Sequence, residues 1–138
     1  MPLFARRAKV EKLLTPMAPD DPFVRSLGEP DEQFWMGLQA IDWLQRKIPG
    51  TPREVTERLL VLSSRRLLVL HPDRQIDDIP YGLMRRPEVR QLGLQGLIHL
   101  EARAEHGWVP MEWSMQWQVA RLWGSKLIAY FDAAESAG

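Results

Sequence analysis

Residues 51–74 read TPREVTERLLVLSSRRLLVLHPDR, and the reading of this stretch decides the fold. Thr51 suits a helix N-cap and Pro52 a first helical position, with Glu54 in the first turn. Val55, Leu59, Leu60, Val61, Leu62, Leu67, Leu68, Val69 and Leu70 then put apolar groups on nearly every side of a helix. A helix apolar all round is one buried by neighbours on several faces. Arg65 and Arg66 stand in its middle, behind Ser63 and Ser64. Two guanidiniums are not left unpaired in an apolar interior, so they must reach carboxylates, an edge, or something outside the chain.

Working outward, Phe34, Leu38, Ile41, Leu44 and Ile48 recur at helical spacing and predict a second helix from Asp31 to Lys47, stopped by Pro49-Gly50. Thr15 to Pro22 is rich in proline and reads as irregular chain, anchored by Phe23, Val24 and Leu27. Leu3 to Leu14 reads as a short basic amphipathic helix. After an irregular stretch over 71–86, Pro87 opens a helix running to about Glu105, with Gly93 and Gly96 explained by close approach of another backbone. A last helix begins at Pro110 and carries Trp113, Trp117, Ala120, Gly124, Leu127, Ile128 and Phe131 along one stripe. Strand-type alternation is not sustained, so the expectation is all-α: a bundle of four main helices plus a short N-terminal helix. It forms a single domain over 1–138, with the leading helix and Pro-rich segment in 1–30 and the bundle in 31–135.

Composition narrows the function classes. The 138 residues include no cysteine, which removes disulfides, thiolate metal sites and cysteine nucleophiles. No apolar run approaches the roughly 20 residues that span a bilayer, and a cytoplasmic protein without a membrane partner is the expectation. Net charge is zero but unevenly spread. Residues 15–45 hold Arg25 against six acids, whereas 46–90 hold ten Lys and Arg against six acids. Such alternation fits solvated faces, complementary docking, or a basic strip for phosphates. His99 and His106 lie two helical turns apart with Arg103 between them, a poor metal pair. No triad or Gly-rich phosphate loop is visible, so no catalytic residue, metal or cofactor is expected and the chain reads as a non-enzyme.

His71-Pro72-Asp73, after Arg65-Arg66-Leu67-Leu68-Val69-Leu70, resembles the J-domain signature of co-chaperones that stimulate a partner ATPase. The likeness is short: the tyrosine-rich start that packs on such a helix is missing. A helix ending in His-Pro-Asp also has a plain cause, with Pro blocking continuation and Asp setting the turn. In size, helical content and lack of a visible active site, the chain resembles the small helical subunits of CRISPR effector complexes. That is a likeness of architecture, carried by no motif. It implies a non-catalytic subunit of a ribonucleoprotein whose Arg65, Arg66, Arg85 and Arg86 hold phosphates of RNA or single-stranded DNA.

Arg58, Arg74 and Arg90 extend that strip. Six tryptophans are generous for this length, and four of them fall between 108 and 123. Trp108 and Trp123 lie off the core stripe and Trp35 flanks its own, so these three are assigned to other protein subunits. The rival expectation is a protein–protein adaptor with no nucleic-acid role, such as a phage or plasmid accessory factor or a co-chaperone-like module.

Overall fold

The structure, a computed structural model, describes residues 15–137. It overturns the all-α expectation. In chain order it contains α1 (Pro22–Leu27), β1 (Leu38–Asp42), α2 (Trp43–Arg46), β2 (Glu57–Leu62), β3 (Arg66–Leu70), β4 (Ile76–Pro80), β5 (Met84–Leu92), β6 (Gln95–Ala104), β7 (Gly107–Gln116) and α3 (Trp117–Ala137). The strands form one antiparallel sheet in the order β4-β3-β2-β1-β7-β6-β5. β4 and β5 are its opposite edges, yet only Tyr81–Leu83 joins them. Three residues reach roughly 11 Å at most, so the sheet curls until its two edges come close. The expected leading helix over Leu3 to Leu14 lies outside the described residues.

The quoted stretch is a hairpin. Leu59↔Leu70, Leu60↔Val69, Val61↔Leu68 and Leu62↔Leu67 pair across it, and Arg65-Arg66 follow the turn. Its apolar groups alternate in the strand sense. Leu60, Leu62, Leu67 and Val69 face the main core, while Val61 and Leu68 face a second cluster with Phe34. A strand buried on both faces is apolar at every position, which over a short run cannot be told from a buried helix. The expected helix over 31–47 holds β1 and the four-residue α2. The expected helix over 87–105 is the β5–β6 hairpin, where Val89 pairs with Ile98 and Leu92 with Gln95.

The C-terminal helix is present but starts at Trp117, not Pro110; Met111, Trp113 and Met115 belong to β7. Ala120, Trp123, Leu127 and Phe131 form its buried stripe over Ile98, Leu100 and Trp113. Gly96 is required where this helix crosses β6, because a Cβ there would lie 2.3 Å from Ala120 Cβ. The close approach expected at Gly96 is therefore real, although it occurs on a strand; the one expected at Gly93 is not, since a Cβ there would meet nothing within 4 Å and that glycine instead takes φ 60° between β5 and β6.

The second apolar cluster covers the other face of β2 and β3. Phe23, Val24 and Leu27 of α1 pack there as expected from the sequence. Asp21 caps α1 by accepting from Phe23 N at 2.9 Å, and Pro22 fills the first helical position. Between α1 and β1 the chain runs beside β2 and carries a bulge. Phe34 is opposite Ser63 but Leu38 is opposite Leu60, a slip of one residue. Gly37 sits in that bulge, and a Cβ on it would press Leu59 Cδ1 at 2.9 Å.

Candidate functional site

The arginines expected to form a strip are separated by the fold. Arg58 begins β2 and Arg74 lies in the β3–β4 turn, whereas Arg65 and Arg66 follow the far end of β2. The intervening strand spans roughly 17–20 Å at strand rise. Arg58 is buried at 5% exposure, donating to the Val55 and Glu57 carbonyls and to Gln45, with Asp42 at 3.3 Å. Arg74 adopts a left-handed backbone, φ 73°, inside the turn closed by His71 N to Gln75 O and Arg74 N to His71 O. His71-Pro72-Asp73 is thus a hairpin turn between strands, and the basic helix that the J-domain likeness requires is absent. His71 Nε2 meets Asp77 Oδ2 at 2.7 Å instead.

Arg66 is held inside the chain. Its Nε and Nη2 donate to Glu32, its Nη1 to Asp78 at 2.7 Å and its Nη2 to the Leu27 carbonyl. Ser63 Oγ completes the node, donating to Glu32 Oε2 and accepting from the Arg65 and Arg66 amides. Burial pushes the Glu32 carboxyl up, but the bonds from Arg66, Ser63 and the Glu29 amide outweigh it and leave its pKa below the ordinary value. The Glu32 bond raises Arg66 above its usual value against the effect of burial. Arg65 donates to the Pro30 carbonyl at 2.6 Å. Of the partners open to these guanidiniums, the structure supplies groups of the same chain: carboxylates for Arg66 and a backbone carbonyl for Arg65.

Arg85 and Arg86 diverge at a register break in β5, where Arg86 takes φ 55°. Arg85 lies over the Trp108 ring at 4.3 Å and donates to Glu101 at 2.6 Å, which holds the Glu101 carboxyl below its ordinary pKa. Arg86 is 73% exposed along its side chain, with Glu101 at 3.8 Å, and Arg90 pairs with Glu88. Of the tryptophans assigned to partners, Trp123 is core at 1% exposure. Trp35 is half-buried, donating to Tyr130 Oη at 2.8 Å beneath Lys126. Trp108 is half-buried between Arg85 and Arg103. His99 sits on β6 beside Glu112 at 3.1 Å and His106 in the β6–β7 turn, so they do not share a helix face.

A concave feature among the described residues lies elsewhere. β1 and β7 pair only at Ile41↔Ser114 and Asp42↔Trp113. Upstream of Ile41 the two strands part, and a cleft of about 790 Å³ opens between them. Its volume falls within the roughly 300–1,000 Å³ of ligand sites. Leu38, Ala40, Met115 and Val119 give it an apolar lining, and Gln39, Gln95 and Gln116 contribute amides, each both donor and acceptor. Arg53, Glu57 and His71 also line it. The divergence has two local causes. β7 ends at Gln116 and turns into α3, and the pairing with β2 slips by one residue around Gly37, just before β1 begins.

Side-chain periodicity missed this cleft because its distinguishing feature is a stretch of strand edge, a backbone property without a residue code. Gly37 beside Met36 is the one sequence trace of it. Among the described residues, no helix is long and apolar enough to cross a membrane. No family model matches the chain, and no curated protein matches it.

Proposed function

We propose that the chain is a non-catalytic protein-interaction module that receives an extended polypeptide in the cleft between β1 and β7. The observation that carries this reading is the short β1–β7 pairing, which leaves the β1 edge over Gly37–Ala40 without a strand neighbour among the described residues. A strand edge presents N–H and C=O groups at fixed spacing, and an extended peptide satisfies them by adding a strand. Alternate side chains of that peptide would face the apolar lining and the glutamine amides. Each backbone bond adds about 0.5–1.5 kcal/mol net, so the affinity is moderate and comes largely from the main chain.

This favours the adaptor over the nucleic-acid subunit. Phosphate binding needs cations that converge and are free to leave their partners. Here Arg58 and Arg66 are held by groups of the same chain, and the seven arginines are scattered over separate turns and strands. The helical architecture behind the likeness to CRISPR subunits is absent.

The test is selection of displayed random dodecapeptides on the full chain, followed by amide chemical-shift mapping with the selected sequences. Binding that perturbs 37–41 and 114–116, and that fails when alternate peptide amides are N-methylated, is the expected result. Selected peptides that bind elsewhere, or that tolerate N-methylation at every position, would remove the reading.

A further inference from the structure

Strand parity sorts the cleft lining into two faces. Leu38 and Ala40 of β1 and Met115 of β7 are buried in the main core together with Val119 of α3. Gln39 and Gln116, their neighbours in sequence, are exposed on the opposite face of the sheet. The register sets these two glutamines level. Ile41 pairs with Ser114 and Asp42 with Trp113, so carrying that register back across the cleft sets Ala40 against Met115 and Gln39 against Gln116. Gln116 in turn pairs with Gln95 of β6. One row on the open face therefore runs from Gln39, across the gap, to Gln116 and Gln95. None of these three side-chain amides has a hydrogen-bond partner among the described residues. Leu59, paired with Gln39, and Leu92, paired with Gln95, bound the row and offer no hydrogen bonds from their side chains.

We propose that the cleft selects an extended peptide that carries a carboxamide side chain, asparagine or glutamine, between two apolar ones. The inference rests on the cleft being a strand-receiving site, as proposed above, and it adds which strands that site takes. A strand added along Gly37–Ala40 alternates as β1 does. Its residues opposite Leu38 and Ala40 point to the core side, where the lining is apolar. Ala40 is small, so the residue opposite it has room for a side chain such as leucine against Met115 and Val119. The residue between them, opposite Gln39, points to the open face and completes the row. Neighbouring strands lie roughly 4.7–4.9 Å apart, the spacing at which a ladder of carboxamides bonds from each rung to the next. A carboxamide donates and accepts at once, as both of its neighbours here do. Glutamate in that place only accepts, lysine only donates, and leucine leaves both glutamines without a peptide partner. Ile41 is already paired with Ser114, so the recognised segment ends there and is short.

The probes are acetylated, amidated peptides of sequence Thr-Ser-Leu-Xaa-Leu-Ser-Thr, in which Xaa is glutamine, asparagine, glutamate, lysine or leucine. Each is titrated into the isotope-labelled full chain, and amide shifts at 37–41 and 114–116 report occupancy of the cleft. The glutamine or asparagine peptide should bind about fivefold tighter than the other three, the gain expected from one or two added neutral hydrogen bonds. Gln39→Leu combined with Gln116→Leu removes both flanking amides at exposed positions, and this variant should prefer the leucine peptide to the glutamine one. Gln39→Glu should shift the preference toward the lysine peptide.

Equal affinity for all five peptides, with shifts in the cleft, would overturn the selectivity and keep the strand-receiving site. So would a preference for glutamine that survives unchanged in the Gln39→Leu, Gln116→Leu variant. Failure of all five while selected dodecapeptides bind the cleft would also overturn the selectivity alone. Failure of the five and of every selected dodecapeptide at the cleft would remove both readings.

Discussion

Arg66→Met is the substitution that most sharply tests how the N-terminal segment is fixed to the sheet. It removes the guanidinium that binds Glu32, Asp78 and the Leu27 carbonyl, and leaves the Glu32 carboxylate, whose side chain is fully covered, with Ser63 and the Glu29 amide. Breaking a buried ion pair by removing one partner costs about 3–5 kcal/mol. The Asp78 contact is half exposed and adds little, so the lower end applies, about 3 kcal/mol near neutral pH. For a domain of this size that lowers Tm by roughly 10 °C. The cost must also depend on pH. In the native chain the Glu32 pKa lies below its ordinary value of 4.5, so its stabilisation is complete above that value and is lost as pH falls through the folded value. In the variant the guanidinium no longer lowers the Glu32 pKa, which therefore rises from its native position, and protonation relieves part of the penalty. The stability difference should therefore shrink as pH falls from 7 toward 4. Urea unfolding of both proteins across that range measures it. A difference below 1 kcal/mol at pH 7, or one that does not change with pH, would refute the reasoning.

Gly96→Val should cost about 1–3 kcal/mol, because its Cβ falls on Ala120 and α3 must shift; a thermal melt unchanged from the parent would show that α3 does not cross β6 there. Tyr81→Phe should cost about 1–2 kcal/mol through loss of the bond to the Ser63 carbonyl. In the parent, burial pushes the Tyr81 hydroxyl well above the ordinary tyrosine range, so ultraviolet titration should find this phenol un-ionised until the protein unfolds in alkali. Arg85→Gln should let the Glu101 carboxyl rise toward its ordinary pKa, which carboxyl-carbon NMR titration reads directly; an unmoved titration would mean the contact with Arg85 does not persist in solution. Generic single-stranded RNA should not bind the isolated chain at low salt, and a salt-dependent affinity weakened by Arg65→Ala and Arg86→Ala together would restore the phosphate-binding reading.

Some of this structure could be read from residue order. The helix stripe at Ala120, Gly124, Leu127 and Phe131 was legible because 3.6-residue spacing has no strand counterpart over that length. The anchoring of Phe23, Val24 and Leu27, and the tight approach at Gly96, were legible from residue type. The strands were not. Leu59–Leu62 and Leu67–Leu70 are covered on both faces, by the main core on one side and by the segment with α1 and Phe34 on the other, and two-sided burial erases the alternation that announces a strand. In residue order alone, Arg65-Arg66 resemble charge trapped inside a helix, because Ser63-Ser64 carries no glycine or proline to mark the tight turn it forms. Glu32, the carboxylate partner of Arg66, lies more than thirty positions upstream, and no local pattern links the two. The cleft was illegible for a further reason, since it is made by strands that stop pairing, and the side chains around it are ordinary.

The most direct test of the account is amide exchange along β1, with residue resolution, in the full chain alone and with a selected dodecapeptide that binds it. The account predicts that amides within Gly37–Ala40 gain protection when the peptide adds as a strand, while Ile41 and Asp42, held by Ser114 and Trp113, do not. Protection that is identical over 37–42 in both states, with changes appearing instead at the turns bearing Arg65, Arg74 or Arg86, would contradict it.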